Sequence, residues 1–546
     1  MKVNNIVILI GFLSILSSCY QGQTADLIIH NATIYTCDEN FSIHDAMAIK
    51  DGKILQVGPE REIMNGYDCG EIIDLAKAPV YPGFHDGHCH FKGYALTLNE
   101  VDLNGSKSFE EVVKRVEDFE SNNEFEWIKG RGWDHTLWEG EEFPTNDTFN
   151  LLFPDKPMAI RRVDGHAALV NQKALDIAGY TAETIIEGGY IEVVDGKCTG
   201  LLLDNAYDSL AIHIPQVEDD KMLKLIQDAE QDLFEVGLTS INDAGLESKD
   251  REDFIKWYSD GSLKIKDYAM LFPVKENLDF AKQEKDYHNN NLHIRSFKVI
   301  ADGALGSRGA CLIDPYADQE HHHGFLLRNL DEFKEIAEAA KAIGYQVNSH
   351  CIGDSANRTI LEVYEEVIGT ESDHRWKIEH AQVLAAEDFD YFENYNIIPS
   401  IQPTHCTSDM RWAEDRLGSE RVRLAYAYND LLEKAGRVVL GTDFPIERTS
   451  PLETFYAAVS RMDRKGKPEG GFQFENALSR EAALRGMTIW PAYSNFENAQ
   501  KGSLEAGKDA DFVILTKDIM LIPYADILNT FIDKTYLDGE LVYSSE

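Results

Sequence analysis

Short apolar runs recur through the middle of the chain, each followed by polar or glycine-containing segments. Eight of them read as strands: Val80–His85, Thr239–Asp243, Lys264–Leu271, Ser296–Ile300, Gln346–Ser349, Lys377–Glu379, Ile397–Ile401 and Val438–Gly441. They are too short for helices. Helical periodicity lies between most of them, as in Leu330 to Ala342 and Ser355 to Ile368. Eight strands alternating with helices predict an α/β fold, a (β/α)8 barrel of TIM type. One spacing breaks the rhythm: about 150 residues separate strands one and two, against a usual repeat of about 30. The gap predicts a large insertion after barrel strand one, an inserted subdomain at about residues 100–230.

The two chain ends differ from the middle. Asp26 to Asn31 reads as a strand, and Ala46 to Gly58 as a hairpin around Asp51-Gly52. Ala510 to Leu515 and a hairpin around Asp538-Gly539 repeat this style at the other end. Both ends together predict one small β-sandwich domain, residues 20–82 and 495–546, beside a barrel spanning 83–494.

Residues 1–19 stand apart. Lys2 precedes an apolar run, Ile6 to Ile15, too short for a permanent membrane span. Leu16-Ser17-Ser18-Cys19 closes it and resembles the lipobox of bacterial lipoproteins. That resemblance implies a signal peptide, lipidation of Cys19 and export in a bacterium as a membrane-anchored lipoprotein facing the periplasm or cell surface. An ordinary signal peptide with an incidental cysteine is the alternative. The other seven cysteines are scattered without a CxxC pair and read mostly as small buried hydrophobes.

Composition narrows the partners. Of 546 residues 43% are hydrophobic and 27% charged, which suits a globular chain. The net charge of −42 repels phosphate backbones, so no nucleic acid partner is expected. A small-molecule substrate and the membrane remain, and a homo-oligomer stays open.

Chemistry gathers where the strands end. Strand one closes on His85-Asp86-Gly87-His88-Cys89-His90, strand four holds Lys298, strands five and six run into His350 and His380, and strand eight into Asp443. In a barrel these C-terminal ends share one mouth. Alternation along a strand puts His88 and His90 on one face, as two ligands of one ion require. Each residue also has a plain structural reading. His350 and His380 could be satisfied core histidines, Asp443 a helix cap, and Lys298 a snorkelling lysine. The joint arrangement argues for metal.

Pro82-Gly83-Phe84-His85-Asp86-Gly87-His88-Cys89-His90 resembles the opening motif of the amidohydrolase superfamily, and Lys501 to Asp511 resembles its closing motif. Gly130-Arg131-Gly132-Trp133-Asp134, Arg162-Val163-Asp164-Gly165-His166, Lys298 to Arg308, Ser349 to Asp354, Ile378-Glu379-His380 and Thr442-Asp443-Phe444-Pro445 are similar to the YtcJ-like branch, which includes N-substituted formamide deformylase-like enzymes. The likeness covers nearly the whole chain after residue 19. It implies that His88, His90 and Asp443 serve one metal ion, that His350 and His380 serve a second, and that a CO2-derived carboxylation of Lys298 bridges the two. Asp443 is implied as proton shuttle. His85 departs from the pattern, relatives carrying an apolar residue there, and reads as structural.

Imidazole and carboxylate donors suit zinc first, with manganese, iron or nickel as alternatives. Such an ion brings the pKa of water to about 7 and supplies hydroxide near neutral pH. The expected reaction is hydrolysis of a C–N bond, of amide or formamide type, in a small molecule. Trp133, His166, Arg308, Gln402 and His405 are the expected substrate-binding residues. Against this, the tryptophans can be core of the insert and Arg308 can simply pair with Asp302. Two alternatives stand. A mononuclear deaminase or cyclic-ring hydrolase of the same superfamily would often lack the strand-four lysine. A non-catalytic binding lipoprotein would have lost ligands that are all present here.

Overall fold

The computed structural model describes residues 23–122, 125–369 and 373–545; Cys19 and the expected leader lie outside the described residues. Eight parallel strands form the barrel wall: Phe84–Cys89, Leu238–Leu246, Lys266–Leu271, Leu292–Ile300, Gln346–Cys351, Lys377–His380, Ile398–Ile401 and Val439–Leu440. The short hairpin strand Tyr287–Asn289 pairs antiparallel with the fourth. Strands one and eight come back together at the seam, where Asp443 N donates to His88 O at 2.8 Å and His90 N to Phe444 O at 2.8 Å. Glycine makes this approach possible: a Cβ on Gly87 would lie 2.1 Å from Val439 Cγ1, and one on Gly441 would lie 2.4 Å from His88 N.

The apolar run expected as one strand at Val80–His85 is divided. Pro79–Pro82 pairs with Phe512–Leu515 and Thr33–Tyr35 in the terminal β domain, and the barrel strand starts only at Phe84. The break falls at Gly83, whose Cβ would meet Thr239 Oγ1 at 2.2 Å. Both chain ends build that domain from a four-stranded and a six-stranded sheet, the second containing strands from both termini. Its core includes Leu27, Ile29, Ile49, Phe512 and Ile514. Lys266, at the start of barrel strand three, ties the barrel to it through Asp509, Asp511 and Asp538 at 2.8, 2.7 and 2.7 Å.

Between barrel strands one and two, a separate six-stranded sheet runs from Val101–Asp102 to Lys197–Asp204. It packs its own core of Ile128, Trp133, Trp138, Phe149 and Ile160. The described cysteines are all free, and Cys37, Cys89, Cys351 and Cys406 are buried. Among the described residues, no helix is long and apolar enough to cross a membrane.

Candidate metal centre

The six side chains at the strand ends converge. His88 Nε2 lies 3.0 Å from Lys298 Nζ and 3.6 Å from Asp443 Oδ1, and His90 Nε2 lies 3.2 Å from the same oxygen. The His88 and His380 rings are 5.0 Å apart between centroids, and those of His350 and His380 4.4 Å. Donor atoms of His88, His380 and Asp443 all fall within 4.8 Å of one another. His380 and Asp443 take left-handed backbone, φ 74° and 60°, a strained state for non-glycine residues that surrounding structure must hold.

Burial sets the protonation of this group. It pulls His90 down to about 4 and holds His350 and His380 far below the usual imidazole range, and it lowers His88, with Lys298 adding to the effect. Lys298 is pulled down to about 8 by the same desolvation, partly opposed by Glu379 and Asp443. Burial pushes Asp443 up, but His90, His88 and His405 outweigh it and keep the carboxyl ionised. Neutral imidazoles and an ionised carboxylate are what a divalent ion needs from its ligands.

The residues fit such an ion. His88 Nδ1 lies 2.6 Å from Glu379 Oε2, and His380 Nδ1 lies 2.7 Å from Gln402 Oε1. Each ring therefore turns an Nε2 lone pair into the site. His350 Nε2 and His405 Nε2 are buried without a hydrogen-bond partner, an arrangement that costs free energy until a cation satisfies it. Among the described residues, two further donor clusters lie elsewhere and already hold cationic groups. Asp509, Asp511 and Asp538 surround Lys266, and Asp286 meets His288, His293 and Arg295.

A cavity of about 1030 Å³ opens above this floor, and His90, Lys298, His350, His380, His405 and Asp443 line it. Of the expected substrate groups, His405 and His166 face it; His405 Nε2 is 3.6 Å from Asp443 Oδ2 and the His166 ring 5.2 Å from that of His350. The other three differ from expectation. Trp133 is fully buried in the insert's core, its indole N–H donating to Ile160 O at 2.9 Å. Arg308 points away, paired with Asp318 at 2.8 Å rather than with Asp302. Asp302 instead accepts the backbone N–H groups of Cys311, Ile352 and Gly353. Gln402 sits behind His380 as its orienting partner. His85 is buried against Asn242 at 2.8 Å.

Sequence reasoning missed Glu379, although its place beside His380 on a buried strand was a signal. It also missed Asp86, which accepts from Thr442 and His88 N–H groups and braces the seam, and Asp204, 2.6 Å from His166 Nδ1.

Comparison with known proteins accords with this geometry. The amidohydrolase family profile matches residues 71–543. The chain is 31% identical over 541 residues to Protein LONG AFTER FAR-RED 3 of Arabidopsis thaliana, covering 96% of this chain and 92% of that one. It is 29% identical to the putative amidohydrolase YtcJ of Bacillus subtilis (94% and 99% covered) and 26% identical to N-substituted formamide deformylase of Arthrobacter pascens (95% and 99%). An uncharacterized metal-dependent hydrolase of Pyrococcus horikoshii superposes with a TM-score of 0.74 at 28% identity, covering 91% of this chain and 99% of that structure.

Proposed function

The chain belongs to the amidohydrolase family, and on that premise we propose that it hydrolyses a carbon–nitrogen bond, of amide or formamide type, in a small molecule. It is a metal-dependent hydrolase of that superfamily. The observation that carries the finer reading is the floor of the cavity, where neutral imidazoles, a buried lysine and an ionised Asp443 meet. The likeness to an N-substituted formamide deformylase supports the bond type.

His88, His90 and Asp443 would hold one ion, His350 and His380 a second, with a carboxylated Lys298 between them. When bound, a zinc-type ion acidifies water and polarises a carbonyl. Asp443 takes the proton of the attacking water and passes it to the leaving nitrogen, so that an amine departs and a carboxylic acid remains. Glu379 and Gln402 keep the His88 and His380 rings oriented.

A panel of N-formyl and N-acyl amines, tested on protein of measured metal content, decides this reading. Amine release from at least one member is expected, falling about 10²- to 10⁴-fold in Asp443→Asn. Metal-loaded protein that releases no amine from any member would overturn it. A second reading, a one-ion deaminase or ring hydrolase, draws on the tight grouping of His88, His380 and Asp443 alone. One ion per chain, with ammonia released from an aminated ring, would favour it. The Leu16 to Cys19 motif further supports a lipid anchor. Cys19→Ala should move the protein from the membrane to the soluble fraction or block processing, and unchanged membrane fractionation of a processed variant would count against lipidation.

A further inference from the structure

The insert brings three arginines to the cavity, and they are not alike. Arg162 is fully paired, with Asp134 and Asp164 each at 2.6 Å. Arg131 and Arg161 lie directly opposite one another on adjacent parallel strands. Like charges side by side on neighbouring strands repel one another. Among the described residues, neither has a carboxylate within 4.0 Å: Asp204 is taken by His166 at 2.6 Å and Glu100 by Lys129 at 3.3 Å. Each guanidinium has five N–H donors. Arg131 gives one to Val163 O at 3.3 Å and Arg161 one to Gly165 O at 2.8 Å, while both Nε atoms are buried without a partner.

Gly165 marks where the two meet. A Cβ there would lie 2.9 Å from Arg131 Nη2 and 3.2 Å from Arg161 Nη2. Both arginines line the cavity. The next residue, His166, has its ring 5.2 Å from that of His350, so the pair stands beside the metal centre. Burial, and then the neighbouring Arg161, pull Arg131 down to about 9, and the more distant carboxylates Glu100, Asp443 and Asp164 offset this only in part.

We propose that Arg131 and Arg161 form a subsite for a carboxylate carried by the substrate, so that the enzyme acts on N-acyl or N-formyl compounds bearing an acid group, such as acylated amino acids. A planar carboxylate matches the fork of a guanidinium and is held by charge-assisted hydrogen bonds. The proposal rests on reading the cavity as the hydrolytic site.

The test compares N-acetyl and N-formyl amino acids with their neutral carboxamides on zinc-loaded enzyme, by kinetics and by calorimetric binding. The acid member of each pair should show a KM or Kd lower by about tenfold or more. Arg161→Met should shrink that preference to about threefold or less, and Arg161→Lys should keep part of it. Arg161 is the better probe because it is half-buried, whereas Arg131 is buried and its loss endangers folding. Equal values for acid and carboxamide, or a preference that survives Arg161→Met, would overturn the subsite. The two readings fail separately. Equal turnover of both members keeps the C–N hydrolase and removes the subsite. Binding preference without turnover keeps the subsite and removes the C–N hydrolase.

Discussion

Glu379 holds His88 from behind: its Oε2 lies 2.6 Å from His88 Nδ1, and both side chains are fully inaccessible to solvent. The contact assigns the proton of His88 to Nδ1 and frees Nε2 for a metal. Burial raises the Glu379 carboxyl, but Lys377 and His88 outweigh it and keep it ionised. Glu379→Gln preserves volume and removes the charge. Metal affinity should fall about 10- to 100-fold, read by competition with a chelator. Stability should drop by about 3 kcal/mol in denaturant unfolding, because Lys377, 3.4 Å away, loses its buried partner. Unchanged metal affinity would show that Glu379 only packs.

Lys298→Ala should lower metal occupancy and abolish activity, and small carboxylates such as formate or acetate should restore part of both. Lys298→Arg should stay inactive with the same additives, since a guanidinium cannot be carboxylated in this way and leaves no room for them. Metal stoichiometry and rate, measured together, check this. A fully active enzyme with one ion beside a free ammonium would refute the bridging role.

Trp133→Ala and His166→Ala should separate stability from catalysis. The Trp133 ring packs against Trp138 and Phe143, so its truncation should cost about 3–5 kcal/mol, seen as early unfolding of the insert. His166→Ala should change kcat and KM while metal content holds. Loss of metal from His166→Ala would place His166 among the ligands.

The network at the foot of strand four should make stability depend on pH. Burial lowers His293, but Asp286 at 2.9 Å and Glu497 at 3.1 Å outweigh it and raise its pKa. His288, Arg295 and Lys501 complete its charged surroundings. A histidine raised on folding contributes fully below its unfolded pKa of about 6.5 and loses that contribution as pH climbs through the folded value. The Tm gap between the wild type and His293→Gln should therefore shrink as pH rises above neutrality. A gap that widens with pH would reverse the sign argued here.

By itself the sequence determined the order of eight strands and the polar residues at their ends, although it ran the first barrel strand together with Pro79–Pro82 of the terminal β domain. Alternation puts His88 and His90 on one face, and the parallel barrel carries every strand's C-terminal end to one mouth. These properties follow from short-range periodicity and connectivity. What each side chain touches was decided only by the tertiary structure. Glu379 and His88 are 291 residues apart, and nothing local to either specifies the pairing. The same limit hid the role of Gly87 and Gly441 in closing the seam, and made Trp133 look equally suited to cavity or core. Arg131 and Arg161 acquire their meaning from register, because two strands separated in sequence must align before two cations face one another. Periodicity reports that a residue is buried. The partner, and with it the chemistry, comes from packing between distant segments.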